Sequence, residues 1–133
     1  MRLIRFGRQG REKPGVLLEK RRDLSVYFQD RNSTFFAESG LERLSALLKA
    51  DEARSLPEVS EGDRWGSPVA RPGKIVCVGL NFSDHAKESG MPVPTEPVLF
   101  LKATNTVVGS FDDILIPRNG NKTDWEVERL NSA

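Results

Sequence analysis

The chain has 133 residues, with 20 basic and 19 acidic side chains that give a formal net charge of +1. This length is enough for one ordinary domain, or for a small domain and the beginning of a second. Charged residues make up 29% and hydrophobic residues 38% of the sequence, a balance that excludes a membrane protein and argues against extensive disorder. The balanced charge also gives no indication of nucleic-acid binding.

The sequence contains a single cysteine, Cys77, and a single histidine, His85. Internal disulfides, zinc fingers and histidine clusters are therefore excluded, and any metal ion has to be held by oxygen ligands. The N-terminal residues lack the long apolar run of a secretory signal. We therefore expect a cytoplasmic protein with no membrane partner.

The first 31 residues predict short β-strands joined by turns, because brief apolar runs alternate with glycine and proline. These runs are residues 3–4, 16–18 and 24–28. Basic residues outnumber acidic ones in this stretch, and we expect them to form a solvated rim. A nucleic-acid contact is the alternative interpretation, but no ladder of aromatic residues interleaves the charges to support it.

Ser39 and Glu42 have the spacing of a capping box, which predicts a helix that begins at Ser39. Its leucines, at positions 41, 44, 47 and 48, form one apolar stripe that is typical of a packing face. Residues 54–73 are rich in proline and glycine and predict a linker without regular elements. The sequence therefore predicts a small β-rich domain with one helix over residues 1–53 and a second unit over residues 74–133.

The second unit begins with residues 75–78, a continuous and largely β-branched run that predicts a strand buried on both faces. Ser83 or Asp84 is expected to cap a short helix that Gly90 ends. Further strands are predicted at residues 97–101, 107–109 and 114–116, followed by a turn at residues 119–121.

Glu126 and Glu128 alternate with Trp125 and Val127, so on a strand the two carboxylates share one face. That face is either open to water or part of a site that contains a cation. Carboxylate oxygens suit Mg²⁺, Mn²⁺ or Ca²⁺, but two of them alone bind such an ion weakly. A third ligand would therefore be needed.

His85 and Glu88 form a second candidate pair, because residues three apart on a helix are neighbours. A carboxylate can orient an imidazole and raise its basicity, which would make His85 a general base. The alternative is an ordinary exposed pair beside Asp84 and Lys87. Lys102 could contact an anionic substrate or simply be exposed.

Three stretches of the sequence combine these features in one order: KIVCVGLNFSDHAKE at residues 74–88, PVLFLK at residues 97–102 and KTDWEVE at residues 122–128. Together they resemble the fumarylacetoacetate hydrolase family. Residues 2–16 also resemble its bacterial branch of ureidoglycolate lyases and diketo-deoxy-sugar-acid hydrolases. The resemblance covers residues 1–128, which is nearly the whole chain.

The resemblance implies an α+β fold, mainly β, in which a small β-rich N-terminal domain precedes a mixed β-sandwich roll that is incomplete here. It also implies a Mg²⁺ or Mn²⁺ ion held by Glu126 and Glu128, His85 and Glu88 as catalytic residues, and Lys102 as a substrate contact. The implied substrates are small keto or diketo acids, and full-length members of the family are expected to be homodimers.

The implied reaction is cleavage of a carbon–carbon bond. The metal would stabilise a developing enolate while water activated by His85 attacks the neighbouring carbonyl. The shared motifs do not distinguish hydrolase from lyase, decarboxylase or isomerase chemistry, nor Mg²⁺ from Mn²⁺.

The sequence departs from the family after Glu128, where the family continues with a hydrophobic strand, a third acidic ligand and a catalytic lysine. Residues 129–133 supply none of these. We therefore expect the isolated chain to be impaired or inactive, as a frameshift, a premature stop or a truncated gene model would leave it. The alternative function is a non-catalytic association module formed by residues 1–53.

Overall fold

The computed structural model describes residues 2–50, 53, 55–80, 82–121 and 123. These residues form two antiparallel sheets and three short α-helices, which confirms the predicted α+β class with a predominance of strands. The first sheet has the strand order β3-β2-β1-β4. Its strands are β1 (Arg2–Phe6), β2 (Lys13–Leu17), β3 (Arg21–Asp23) and β4 (Trp65–Gly66).

The first two predicted strands are confirmed, and they form a hairpin in which Leu3 is paired with Val16. The loop between them turns through Gly7 and Gly10, whose φ angles of 102° and 77° favour glycine. The strand predicted at residues 24–28 is wrong. The amides of Tyr27 and Phe28 both donate to the Leu24 carbonyl, at 2.9 and 3.0 Å, because this turn allows Leu24 and Phe28 to enter the core together.

Two helices follow, α1 (Ser33–Ala37) and α2 (Gly40–Lys49), of which only α2 is predicted by the sequence. Helix α2 begins as expected after Ser39, but the capping box does not form. Ser39 has a left-handed backbone with φ of 52° and makes no capping hydrogen bond through its side chain. Helix α1 is capped by Asn32, whose side-chain oxygen accepts from the Phe35 amide at 3.2 Å.

The main core lies between the first sheet and α2. Leu44 is fully buried at its centre, while Leu47 and Leu48 pack against it. Leu41 is 42% exposed, so the apolar stripe has three members rather than the predicted four. The buried cluster consists of Val16, Leu24, Phe28, Phe35, Leu44 and Leu56.

Residues 54–73, predicted as a linker without regular elements, contribute the strand β4, which pairs with β1. Leu56, Val59 and Ala70 from the same stretch are buried, because the first sheet offers them an apolar surface. The prediction that this stretch lacks regular structure is therefore wrong at β4. The proposed division into two domains stays a prediction.

The second sheet consists of β5 (Ile75–Gly79) and β6 (Val98–Lys102), both of which the sequence predicts. Between them lies α3 (Ser83–Glu88), which follows Phe82 as its N-cap and has no capping bond from Ser83 or Asp84. Gly90, with φ of 66°, comes directly after the last helical turn as predicted. The predicted burial of β5 on both faces is wrong for the described residues, since Val76 and Val78 are exposed.

The strands predicted at residues 107–109 and 114–116 are not formed. A 3-10 turn at Thr104–Thr106 precedes the first stretch, and the second lies exposed with no strand beside it in the described part of the chain. The turn near residue 119 is confirmed by a 2.8 Å hydrogen bond from the Gly120 amide to the Pro117 carbonyl. None of the helices within the described ranges has the length and apolar character needed to cross a membrane.

Candidate active site

His85 and Glu88 lie on α3, and both side chains are exposed. Ala86, between them, is the buried residue that anchors this helix. Their spacing places them on one side of the helix. In the described part of the chain, however, no hydrogen bond or ion pair joins the two side chains, so the imidazole is not yet oriented by the carboxylate.

The C-terminal end of α3 is tightly closed by backbone hydrogen bonds. The Gly90 amide donates to the Lys87 carbonyl at 3.0 Å, and the Met91 amide donates to the Ala86 carbonyl at 2.9 Å. A cleft of about 290 Å³ lies beside the N-terminal end of the helix. Ser83, the end of β5 and the proline-rich loop before β6 line this cleft, so α3 begins at the wall of a small cavity.

Lys102 is the last residue of β6, and it is exposed. It pairs in register with Ile75, whereas the turn that leads into α3 leaves β5 at Gly79, opposite Val98. The four-residue separation along the strand corresponds to about 14 Å. The structure therefore places Lys102 and the start of α3 at opposite ends of the second sheet.

Glu126 and Glu128, the predicted metal ligands, lie outside the described residues. Among the residues that are described, no group of three histidine, cysteine, aspartate or glutamate side chains is arranged to hold a metal ion. Cys77 is half-buried on β5 opposite Phe100. The chemistry of the predicted donor set, two carboxylates, fits Mg²⁺ or Mn²⁺.

The most extensive polar feature of the described residues is an ion-pair network that the sequence does not predict. The Arg5 guanidinium donates to both carboxylate oxygens of Asp30, at 2.6 and 3.0 Å, and lies 3.5 Å from Glu12. Arg64 donates a hydrogen bond to the other carboxylate oxygen of Glu12 at 3.0 Å. Two further nitrogens of Arg64 bind the carboxylate of Asp112, and the distance from Nε to Oδ1 is 2.7 Å. The network thus ties the first sheet to the loop after β6.

Two carboxylates of this network, Glu12 and Asp112, have lowered pKa values that favour their charged form. Burial opposes ionisation of Glu12, but hydrogen bonds from its own amide, the Arg64 side chain and the Gly10 amide outweigh it and lower the pKa of Glu12. The hydrogen bond from Arg64, helped by the Gly109 amide, lowers the pKa of Asp112. Both groups therefore stabilise the fold only while they are ionised.

Replacing Asp112 with asparagine is expected to flatten the dependence of stability on pH below about pH 5. Because the pKa of Asp112 is lower in the folded chain, its contribution is complete above the ordinary value of 3.8 and is lost as the pH falls through the folded value. Urea unfolding at several pH values between about 5 and 3 measures this slope. The exposed neighbour Asp113 is the control, and equal slopes for Asp112→Asn and Asp113→Asn would contradict the role of the ion pair.

A second buried arginine corrects the expectation that the basic N-terminal residues form a solvated rim. Arg31 is fully buried and donates hydrogen bonds to the carbonyls of Ile4, at 2.6 Å, and Gly15. Burial lowers the pKa of Arg31 to about 10, so the guanidinium stays charged at neutral pH. Arg5 and Arg21 are also buried, at 8% and 7% exposure, and three of these basic residues are therefore structural.

A cavity of about 350 Å³ lies beside the network and is lined by Arg5, Glu12, Asp30 and Arg64 together with residues 104–105 and 107–109. Both guanidinium groups that line the cavity, the buried one of Arg5 and the partly exposed one of Arg64, are already bonded to carboxylates. The arrangement has the chemistry of a structural contact between the first sheet and the loop after β6. Sequence spacing gives no signal for it, because Arg64 lies 52 and 48 residues from its two partners.

Comparison with known proteins finds a family match over the part of the sequence that contains the second sheet and the predicted site residues. Residues 74–128 match the family described as fumarylacetoacetate (FAA) hydrolase, C-terminal. Over 130 residues, the chain is 48% identical to a protein of Burkholderia multivorans, 47% to one of Burkholderia ambifaria and 46% to one of Burkholderia lata, each named "Putative hydrolase". The chain is therefore similar to this hydrolase family over residues 74–128 and, over nearly its whole length, to proteins named as hydrolases.

Each of these alignments covers 96% of this chain but 45% of the relative. The chain therefore spans less than half the length of the curated relatives that it matches.

Proposed function

We propose that this chain is part of a divalent-metal-dependent hydrolase or lyase that cleaves carbon–carbon bonds in small keto or diketo acids. The observation that carries the proposal is the family match over residues 74–128, which contains every predicted site residue. These are His85, Glu88, Lys102, Glu126 and Glu128. The resemblance of residues 2–16 to the branch of ureidoglycolate lyases and diketo-deoxy-sugar-acid hydrolases supports a small organic acid as the substrate.

In the proposed mechanism, Glu126 and Glu128 would hold Mg²⁺ or Mn²⁺, which would supply positive charge to stabilise negative charge that develops on the substrate. His85 accepts a proton from the attacking water, and Glu88 orients its imidazole for that transfer. Lys102 would act as a point charge for the substrate carboxylate, which requires a substrate or a rearrangement that spans the distance between Lys102 and the start of α3. The exposed positions of His85 and Glu88 fit this scheme, since both side chains are free to turn towards a bound substrate.

We propose further that the isolated chain is impaired or inactive as an enzyme. Two carboxylates from this chain bind a hard cation weakly, so a third ligand is needed from polypeptide beyond these residues.

A turnover assay on acylpyruvates with Mg²⁺ tests this function. We expect the Burkholderia multivorans relative to cleave at least one of these substrates, to stop when EDTA removes the metal, and to exceed the isolated chain by a factor of at least about 100. Turnover by the isolated chain at the relative's rate would refute the claim of impairment. A relative that cleaves no keto or diketo acid would refute the substrate class.

A non-catalytic association module is the second candidate. The observation that favours it is the buried cluster within the N-terminal part, which gives this region a core of its own. A module of residues 1–53 would lack Leu56 and β4. A folded module therefore needs residues up to about 70. Light scattering distinguishes the candidates, because a monomer over the measured concentration range would count against association between copies.

A further inference from the structure

The loop after β6 is joined to the first sheet by one charged side chain, that of Asp112. Its carboxylate accepts hydrogen bonds from two nitrogens of the Arg64 side chain, and the distance from Nε is 2.7 Å. The Oδ2 atom also accepts from the Gly109 amide at 2.7 Å, which holds the loop in a tight turn. Among the described residues, the bonds between Arg64 and Asp112 are the only hydrogen bonds or ion pairs that join residues 104–112 to the first sheet and its loops.

Gly109 fits this contact because it has no side chain. It is buried against the backbone of Trp65, and a Cβ atom at this position would collide with the Trp65 carbonyl oxygen. Two residues further on, the ring of Phe111 meets the ring of Trp65 edge to face, with the ring centroids 6.3 Å apart. The loop is therefore seated on β4 by shape as well as by charge.

The contact is nevertheless close to the surface. The side chains of Arg64 and Asp112 are 27% and 18% exposed, so water competes for the ion pair and limits its contribution to stability. Phe111 is 82% exposed despite its contact with Trp65. The buried cluster of the N-terminal part contains no residue of this loop, so the core does not depend on the contact.

The same loop forms one wall of the cavity of about 350 Å³ beside the ion-pair network. Residues 104–105 and 107–109 line it from this side, and Glu12 and Asp30 are among the residues that line it from the N-terminal part. We infer that residues 104–112 form a strap that closes this cavity, with Arg64 and Asp112 as its clasp, and that the strap opens while the N-terminal core stays folded. Opening gives small polar solutes access to the cavity. The inference does not rest on the proposed function.

Hydrogen exchange in the parent chain tests whether the strap opens by itself. The Gly109 amide is bonded to Asp112 within the strap, whereas the Leu24 amide donates to the Pro14 carbonyl at 2.9 Å beside the core. We expect the protection factor of the Gly109 amide to be at least about tenfold lower than that of the Leu24 amide. The reason is that the strap opens locally, while the Leu24 amide is released only when the core unfolds. NMR spectroscopy of the nitrogen-15-labelled chain measures both amides.

Two substitutions are expected to hold the strap open. Gly109→Ala adds the Cβ atom that the Trp65 carbonyl excludes, and Arg64→Gln removes the charged partner of Asp112. In each variant we expect loss of the nuclear Overhauser contact between the rings of Trp65 and Phe111, which the parent chain should show.

A second ring pair reports on the core in the same spectra. The centroids of Phe28 and Phe35 are 5.3 Å apart, and their contact is expected to persist in both variants. Gly73→Ala and Arg8→Gln are the matched controls, because a Cβ atom at Gly73 meets nothing within 4 Å and Arg8 is exposed. Both controls are expected to keep both ring contacts.

Equal protection of the Gly109 and Leu24 amides would overturn the inference, because the strap would then open only when the whole chain unfolds. Persistence of the contact between Trp65 and Phe111 in Gly109→Ala or in Arg64→Gln would also overturn it. So would loss of the core ring contact in these variants, since the loop would then be a part of the core and not a separate strap.

Discussion

Replacing Leu44 with alanine is expected to lower the free energy of unfolding by about 2–5 kcal/mol, because the substitution leaves a cavity at the centre of the main core. Leu44 is fully buried and belongs to the cluster that joins α2 to the first sheet. Little around the site can collapse into the space, since the neighbouring residues are held by the sheet and by packed aromatic rings. Urea unfolding followed by far-UV circular dichroism measures the loss.

Leu41 on the same helix provides the control for this experiment. It is 42% exposed, so Leu41→Ala is expected to change the free energy of unfolding by less than about 1 kcal/mol. Similar losses for the two variants would contradict the placement of α2, because a helix rotated about its axis would bury Leu41 as well.

Replacing Arg31 with methionine is expected to lower the free energy of unfolding by about 2–4 kcal/mol. The fully buried guanidinium donates to the carbonyls of Ile4 and Gly15, and methionine offers no donor to either. A buried hydrogen bond from a charged donor contributes about 1.5–3 kcal/mol. Methionine also avoids the free-energy cost of burying a charge. This gain offsets part of the lost stability and sets the lower end of the range.

The same urea titration measures this effect, with Arg8→Met as the control. Arg8 is exposed in the loop between β1 and β2, so its replacement is expected to change stability by no more than about 0.5 kcal/mol. If Arg31→Met unfolds at the same urea concentration as Arg8→Met, the buried arginine does not stabilise the first sheet.

Local sequence patterns predict most of the strands and two of the three helices. Runs at residues 3–4 and 16–18, separated by the glycines of a tight turn, are sufficient to indicate the first hairpin. Residues 24–28 look similar but form a turn, since burying Leu24 and Phe28 together is worth more than continuing a strand. Residues 114–116 have strand-like composition, but a strand needs a neighbour for its backbone hydrogen bonds.

The ion-pair network lies beyond this kind of prediction for a different reason. Arg64 is joined to Glu12 and Asp112 only after the chain has folded, and no local spacing connects these residues. The general excess of basic residues near the N-terminus suggests solvent exposure, and it is wrong for Arg5 and Arg31 because their partners come from distant segments. Burial of charge depends on those partners rather than on composition.

The candidate active site differs from the ion-pair network, because local sequence motifs do indicate its residues. Its motifs identify the family segment, and the family match begins at Lys74 and ends at Glu128, the limits of the three motifs. Those motifs do not determine how the catalytic side chains are arranged relative to one another. His85 and Glu88 share a helix without a bond between them, and Lys102 lies at the far end of the second sheet. The proposed roles of all five residues stay predictions.

The most direct test of the proposed function is the metal dependence of acylpyruvate cleavage by the full-length Burkholderia multivorans relative. We expect cleavage that requires Mg²⁺ or Mn²⁺ and that falls by a factor of at least about 100 when the residues aligned with Glu126 and Glu128 are both replaced by glutamine. The double variant should keep the melting temperature of the parent protein. Cleavage that survives EDTA, or that is unchanged in the double variant, would contradict the proposal that these two carboxylates hold the metal of a keto-acid-cleaving enzyme.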